Sequence, residues 1–215
     1  MPRFHLSVLL SCCFAAAAPT VFGQPLYVGI KGGLLLTDST VSVQSSGRTG
    51  LSTYSFNLRR YSLGPFVEVK LPWRLRIESG FLYRRFDDTA VDWTGPSWWT
   101  AYRSRGSRRE VPVVVKREWG ANRVRPFFGA GGVWSRVPPT DLEVERFYDA
   151  AQPPLFVDRG QGASDNTGGW IITGGLRFRA PGGLKIIPEI RFTRYSSGLW
   201  LPTRNQVDFF LGLGF

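Results

Sequence analysis

Residues 207–215 alternate strictly. Val207, Phe209, Leu211, Leu213 and Phe215 share one face of an extended strand, and Asp208, Phe210, Gly212 and Gly214 share the other. The first face is uniformly apolar, while the second is mostly small or polar. The chain stops on a large aromatic ring, where a strand ending in water is usually polar and frayed. Rings at strand ends are what anchors a chain at a membrane–water interface. Such a strand needs an apolar medium along one whole side.

The same two-residue period recurs upstream. In residues 26–35, Leu26, Val28, Ile30, Gly32 and Leu34 oppose Tyr27, Gly29, Lys31, Gly33 and Leu35. After a long Ser/Thr/Gly-rich loop, residues 61–71 set Leu63, Pro65, Val67 and Val69 against Ser62, Gly64, Phe66, Glu68 and Lys70. A tight turn at Pro72-Trp73-Arg74 leads into residues 75–86, with Leu75, Ile77, Phe81 and Tyr83 against Arg76, Glu78, Gly80 and Arg84. A second long loop precedes residues 109–116, where Val111, Val113 and Val115 oppose Glu110, Pro112, Val114 and Lys116.

Residues 125–134 form the next strand, but Gly129, Ala130, Gly131 and Gly132 leave its facing open. The longest loop covers residues 136–168. Beyond it, Trp170, Ile172, Leu176 and Phe178 oppose Thr173, Gly175, Arg177 and Arg179, and Pro181-Gly182-Gly183 makes a tight turn. In residues 185–195, Ile186, Ile190 and Phe192 oppose Lys185, Glu189, Arg191 and Thr193. Pro65, Pro112, Pro126 and Pro188 fall inside these strands, each removing a ladder donor, and are expected at bulges or strand ends.

Eight strands result, with connections that run long, short, long, short, long, short, long. Transmembrane barrels have this asymmetry, and strands of about 9–11 residues suffice to span a bilayer. A soluble barrel or sandwich would bury its apolar face. Here the opposite face carries Lys31, Glu68, Lys70, Arg76, Glu78, Glu110, Lys116, Arg177, Glu189, Arg191 and Asp208. An inside-out barrel accounts for both faces, with lipid outside and charge in the lumen. The expected fold is therefore all-β, an eight-stranded antiparallel up-and-down transmembrane β-barrel spanning residues 24–215.

Residues 1–23 read as a signal peptide. Arg3 supplies the positive charge, residues 4–18 are apolar or small, and Val21-Phe22-Gly23 suits cleavage before Gln24. A lipoprotein reading at Leu9-Leu10-Ser11-Cys12 has too short an apolar stretch before the cysteine. Cleavage removes Arg3 and no acid, taking the formal charge from +11 to +10, and removes both cysteines and the single histidine. Disulfides and thiolate metal sites are then excluded. A mean hydropathy of −0.11 is no objection, because only alternate residues of a barrel meet lipid.

The segments Tyr27-Val28-Gly29-Ile30-Lys31-Gly32-Gly33, Phe66-Val67-Glu68-Val69-Lys70-Leu71-Pro72, Glu110-Val111-Pro112-Val113-Val114-Val115-Lys116 and Arg125-Pro126-Phe127-Phe128-Gly129-Ala130-Gly131 together resemble the outer membrane protein β-barrel domain family, which is similar to porin-family and OmpA-like small barrels. The resemblance implies an eight-stranded barrel in the bacterial outer membrane with no shared catalytic residues; the long–short alternation of connections and the even strand count are expected to put both termini in the periplasm. It also implies folding by the barrel assembly machinery, for which Phe215 is the terminal signal.

Two groups of residues are candidates for function. An eight-stranded barrel is only wide enough to be filled by side chains. Lys31, Glu68, Arg76, Glu78, Arg177, Glu189, Arg191 and Asp208 are therefore expected to interlock as a plug, with a gated or narrow solute or ion pore as the alternative. In the second long loop and the strand after it, Trp93, Trp98, Trp99 and Tyr102 accompany Arg103, Arg105, Arg108 and Arg109. Arginines beside aromatics can grip lipid phosphate, sulfate or acidic glycans; the plainer reading is an interfacial aromatic girdle with a solvated basic loop.

Enzymatic activity is not expected, since the barrel-enzyme chemistries that need a histidine would lack one. No cofactor, metal or nucleotide motif is present in the sequence; Gly129-Ala130-Gly131-Gly132 has no helix after it. The basic charge is spread between lumen and rim, with no nucleic-acid-binding pattern. The expected partners are outer-membrane lipids, the assembly machinery and an extracellular ligand at the loops, and the expected state is a monomer.

Overall fold

A computed structural model describes residues 26–37, 40–47, 50–93, 98–120, 123–148, 154–196 and 204–215; the expected signal peptide lies outside them. Among these described residues thirteen strands form one antiparallel sheet. They are β1 (Leu26–Leu35), β2 (Thr40–Gly47), β3 (Gly50–Leu58), β4 (Tyr61–Lys70), β5 (Leu75–Gly80), β6 (Leu82–Trp93), β7 (Trp99–Glu118), β8 (Val124–Val137), β9 (Asp141–Phe147), β10 (Phe156–Gln161), β11 (Asp165–Arg179), β12 (Lys185–Tyr195) and β13 (Asn205–Gly214). The final strand pairs with the first, Ile30 opposite Leu213 and Leu34 opposite Phe209, and this closes a barrel.

The barrel has eight staves, because β5 and β6 are one. Against β4 the register runs unbroken from Gly80 opposite Phe66 to Tyr83 opposite Leu63; against β7 it runs from Ser79 opposite Val113 to Leu82 opposite Glu110. The ladder lapses at Phe81 because Pro65 on one neighbour and Pro112 on the other have no N–H to donate. The Phe81 N–H still donates to the Pro65 carbonyl at 3.0 Å. Pro126 sits near the start of β8 without a gap in pairing, whereas the β11–β12 ladder lapses at Pro188 and Ile187 and resumes in the same register at Ile186 opposite Phe178.

The alternation read from the sequence is the facing observed on these staves. Outward positions include Leu26, Val28, Ile30, Leu63, Val113, Val115, Ile190, Leu211 and Leu213, all exposed, whereas the intervening residues are mostly buried. The facing of β8 is now defined: Phe127, Gly129, Gly131 and Val133 point inward, and Phe128, Ala130, Gly132 and Trp134 point outward. Aromatics rim the apolar band at both ends, with Trp73, Trp119 and Phe215 at the tight-turn end and Tyr61, Tyr83, Trp134 and Trp170 at the other. Among the described residues no helix is long and apolar enough to cross a membrane.

Three regions read as loops are largely strand. β2 and β3 form a hairpin within the first, β6 and β7 run on as a hairpin in place of the second, and β9 and β10 fill part of the third. β3 joins the far half of β6 and β9 joins the far half of β7. A six-stranded sheet, ordered β2-β3-β6-β7-β9-β10, thus rises from one side of the barrel mouth. These strands have no long apolar run, so hydropathy alone does not mark them, although β9 does alternate.

Candidate functional site

Inward side chains on opposing staves meet across the lumen in three charged layers, each built on two carboxylates. At the tight-turn end, Glu68 lies 2.6 Å from Arg177 and 3.1 Å from Arg76, and Glu118 lies 2.7 Å from Arg76 and 2.5 Å from Arg177. In the middle, Glu189 contacts Lys31 at 2.9 Å, Lys116 at 2.6 Å and Arg191 at 2.8 Å. Glu78 contacts the same three: Lys31 closely, Lys116 at 2.6 Å and Arg191 at 3.2 Å. Toward the hairpin end, Asp208 binds Arg84 at 2.5 Å, while Glu110 takes Arg108 at 2.5 Å and accepts from the Tyr195 hydroxyl at 2.7 Å.

Apolar groups separate and cap these layers. Phe66, Phe127 and Ile187 pack together next to the middle layer, with Lys31 5.1 Å from the Phe66 ring and Lys116 4.7 Å from that of Phe127. Leu35, Leu58, Phe86 and Val137 form a buried cluster at the mouth, beneath the projecting sheet, with Tyr54 against it. Burying a charge costs several kcal/mol unless it is paired and hydrogen-bonded; here each carboxylate is met by at least one cation.

All eight residues named for the lumen from the sequence face inward and are buried. Arg84, Arg108, Glu110, Lys116 and Glu118 complete the layers. Arg84, Glu110 and Lys116 already lay on inward faces in the sequence; Arg108 and Glu118 share the parity of Pro112 and Val114 on the same stave. Lys70, also read as inward, ends its strand exposed.

The second candidate group does not stay together. Trp93, Trp98 and Trp99 belong to the tip of the projecting sheet. Trp99 stacks on Phe147 at 3.9 Å and on Trp93 at 5.6 Å, and Trp98 meets Tyr148 edge-on at 4.7 Å. The tip lies ten residues along β6 from Tyr83, about 30 Å of extended chain at 3.3 Å per residue. That distance sets these tryptophans apart from the aromatics that rim the apolar band. Arg103, Arg105 and Arg109 are exposed on the outward face of β7. Tyr102 has the opposite parity, and Arg108 leaves the group altogether: it is 1% exposed, inside the barrel, donating to Ser135 at 3.0 Å.

Where the sheet meets the mouth, Asp88 points inward and hydrogen-bonds Tyr54. Burial pushes the Asp88 carboxyl up to about 6, against the opposing pull of that bond, and burial with the Asp88 charge pushes Tyr54 up to about 12. A raised carboxyl holds its proton more tightly folded than unfolded, so its stabilising contribution is full below about pH 4 and lost as pH rises through about 6. Thermal unfolding of the projecting sheet, followed by tryptophan fluorescence, is expected at higher temperature at about pH 4 than at about pH 7.5. Asp88→Asn should flatten that difference, and an unchanged slope would disprove the assignment.

A closed eight-stave barrel that is apolar outside and ion-paired inside is a transmembrane β-barrel. No family model matches the chain, and no curated protein matches it. Among solved structures it is similar to Neisserial surface protein A, at 13% identity over 89% of this chain and 96% of that one, TM-score 0.48. It is similar to Ail, the attachment invasion locus protein of Yersinia pestis, at 12% identity over 89% and 95%, TM-score 0.36. It is also similar to the translocator domain of autotransporter NalP from Neisseria meningitidis, at 11% over 97% and 94%, TM-score 0.40. Likenesses this distant carry no argument about activity; the barrel stands on its own strand pairing.

Proposed function

We propose that the chain is an integral protein of the bacterial outer membrane whose lumen is plugged and whose role is structural or a matter of surface contact. The observation that carries this reading is the reversed polarity of the barrel: exposed Leu, Val and Ile outside, buried Lys, Arg, Glu and Asp inside. Both termini and the tight turns then lie in the periplasm, and the six-stranded sheet projects outward, where it can meet an extracellular ligand. The three ion layers fill the bore as side-chain packing does in barrels of this size. The role is non-enzymatic, because no histidine is left as a general base once the leader carrying His5 is removed. Lipid and the barrel assembly machinery, engaging the strand that ends in Phe215, are the partners of a monomer.

Planar-bilayer recording of refolded protein tests the plug. A heat-dependent gel shift first establishes a closed, inserted barrel, and the expected result is then the absence of conductance steps. Steady salt-dependent steps would make the protein a small-solute or ion channel, with the middle layer as its filter.

A further inference from the structure

Arg109 on β7 lies directly opposite Arg136 on β8, both pointing outward. Like charges placed opposite each other across two strands are destabilising. Among the described residues neither has a carboxylate within 4.0 Å, whereas Asp87 serves Arg59 at 3.2 Å and Arg105 at 4.0 Å. On the next stave Tyr83 pairs with Arg109, and Arg85 pairs with Ser107. A cleft of about 610 Å³ runs across this face, lined by Arg59, Arg85, Arg105 and Arg109, with the Tyr83 and Ser107 hydroxyls and only Asp87 and Asp141 as acids. Cations exceed carboxylates there, and the excess points away from the barrel.

The level of the cleft identifies its occupant. Two residues nearer the tight-turn end, on the same faces, stand Val111 and the exposed Trp134, at the upper edge of the apolar band. Whatever lipid lays acyl chains against Val113, Val115 and Phe128 carries its headgroup to the height of Arg109 and Arg136. Guanidinium groups bind phosphate through paired charge-assisted N–H bonds, and the Tyr83 and Ser107 hydroxyls add donors.

We infer that this outward cleft, together with Arg136 directly across from its Arg109 wall, binds the phosphate of a membrane lipid whose acyl chains cover the apolar band below it. The inference rests on the membrane-barrel reading above. A bound phosphate relieves the Arg109–Arg136 repulsion, so the site is complete only in the bilayer. It lies about 30 Å of strand from the tryptophan tip, which leaves that tip free for a different contact.

The test uses refolded full-length protein in phosphatidylcholine nanodiscs with and without phosphatidic acid, with bound lipid counted by native mass spectrometry. The wild type is expected to retain phosphatidic acid. Arg109→Gln with Arg136→Gln should lower that retention about tenfold, with the gel shift unchanged. Arg146→Gln with Arg159→Gln, which removes the same charge from β9 and β10 without touching the cleft's lining, should leave it unaltered. Equal retention by the first double variant, or an equal loss in the second, would overturn the site. Displacement by millimolar inorganic phosphate would show a free-anion site and overturn the lipid assignment. Loss of the gel shift in the wild type would defeat the membrane reading itself, and this inference with it.

Discussion

Glu189→Ala is expected to lower barrel stability by about 3–5 kcal/mol, the cost of breaking a buried ion pair and leaving charge uncompensated. Glu189 is 1% exposed and holds Lys31, Lys116 and Arg191 at once, so its loss leaves three cations against Glu78 alone. The penalty comes from the stranded charges more than from the lost attraction, and that distinction can be measured. Adding Lys116→Met to Glu189→Ala removes one stranded cation and should recover a large part of the loss. Glu143→Ala, at an exposed pair with Arg159, should cost about 1 kcal/mol or less. Urea unfolding of the refolded barrel, read by the gel shift, gives all three values. A Glu189→Ala barrel as stable as the wild type would mean that the middle layer is not cohesive.

The facing of most staves was legible because a strand in a barrel wall has two different solvents, and a two-residue period then separates Leu and Val from Lys and Glu. β8 was not legible in its middle, where Gly129, Ala130, Gly131 and Gly132 display no large side chain to either side. The projecting sheet is hidden for another reason. Bilayer thickness predicts staves of about 9–11 residues, yet β7 runs for 20 residues. Its parity, continued past Glu110, assigns Arg108 to the lumen and Arg109 to the outside, and so divides a pair that adjacency had grouped. β9 carried a readable signal as well, since Asp141, Glu143 and Glu145 alternate with Leu142 and Val144. What no period could supply is the third dimension: which inward Glu meets which inward Arg across the bore depends on the stagger of the staves. That the tryptophans stand far from the arginines of Arg109 and Arg136 depends on the hairpin being straight strand.

Gly64→Ala is expected to prevent closure between β4 and β6, leaving little or no heat-modifiable barrel. A Cβ on Gly64 would lie 1.6 Å from the Phe81 carbonyl oxygen and 2.7 Å from its carbon. Overpacking that flexible side chains can absorb costs about 1–3 kcal/mol. Here the obstacle is backbone, and that backbone is already committed, because Phe81 donates its N–H to Pro65, the neighbour of Gly64, at the one place where two prolines have thinned the ladder. Moving Phe81 aside would take its N–H from the Pro65 carbonyl, and the proline has no donor to offer in return. The cost should therefore exceed about 3 kcal/mol. Gly174→Ala supplies the control: its new Cβ would meet nothing nearer than the Phe127 carbonyl oxygen at 3.8 Å, and folding yield should be unchanged. If Gly64→Ala refolds to the wild-type yield while Gly174→Ala does also, the pinch between β4 and β6 is not a constraint on this barrel, and Gly64 is tolerant of any small residue.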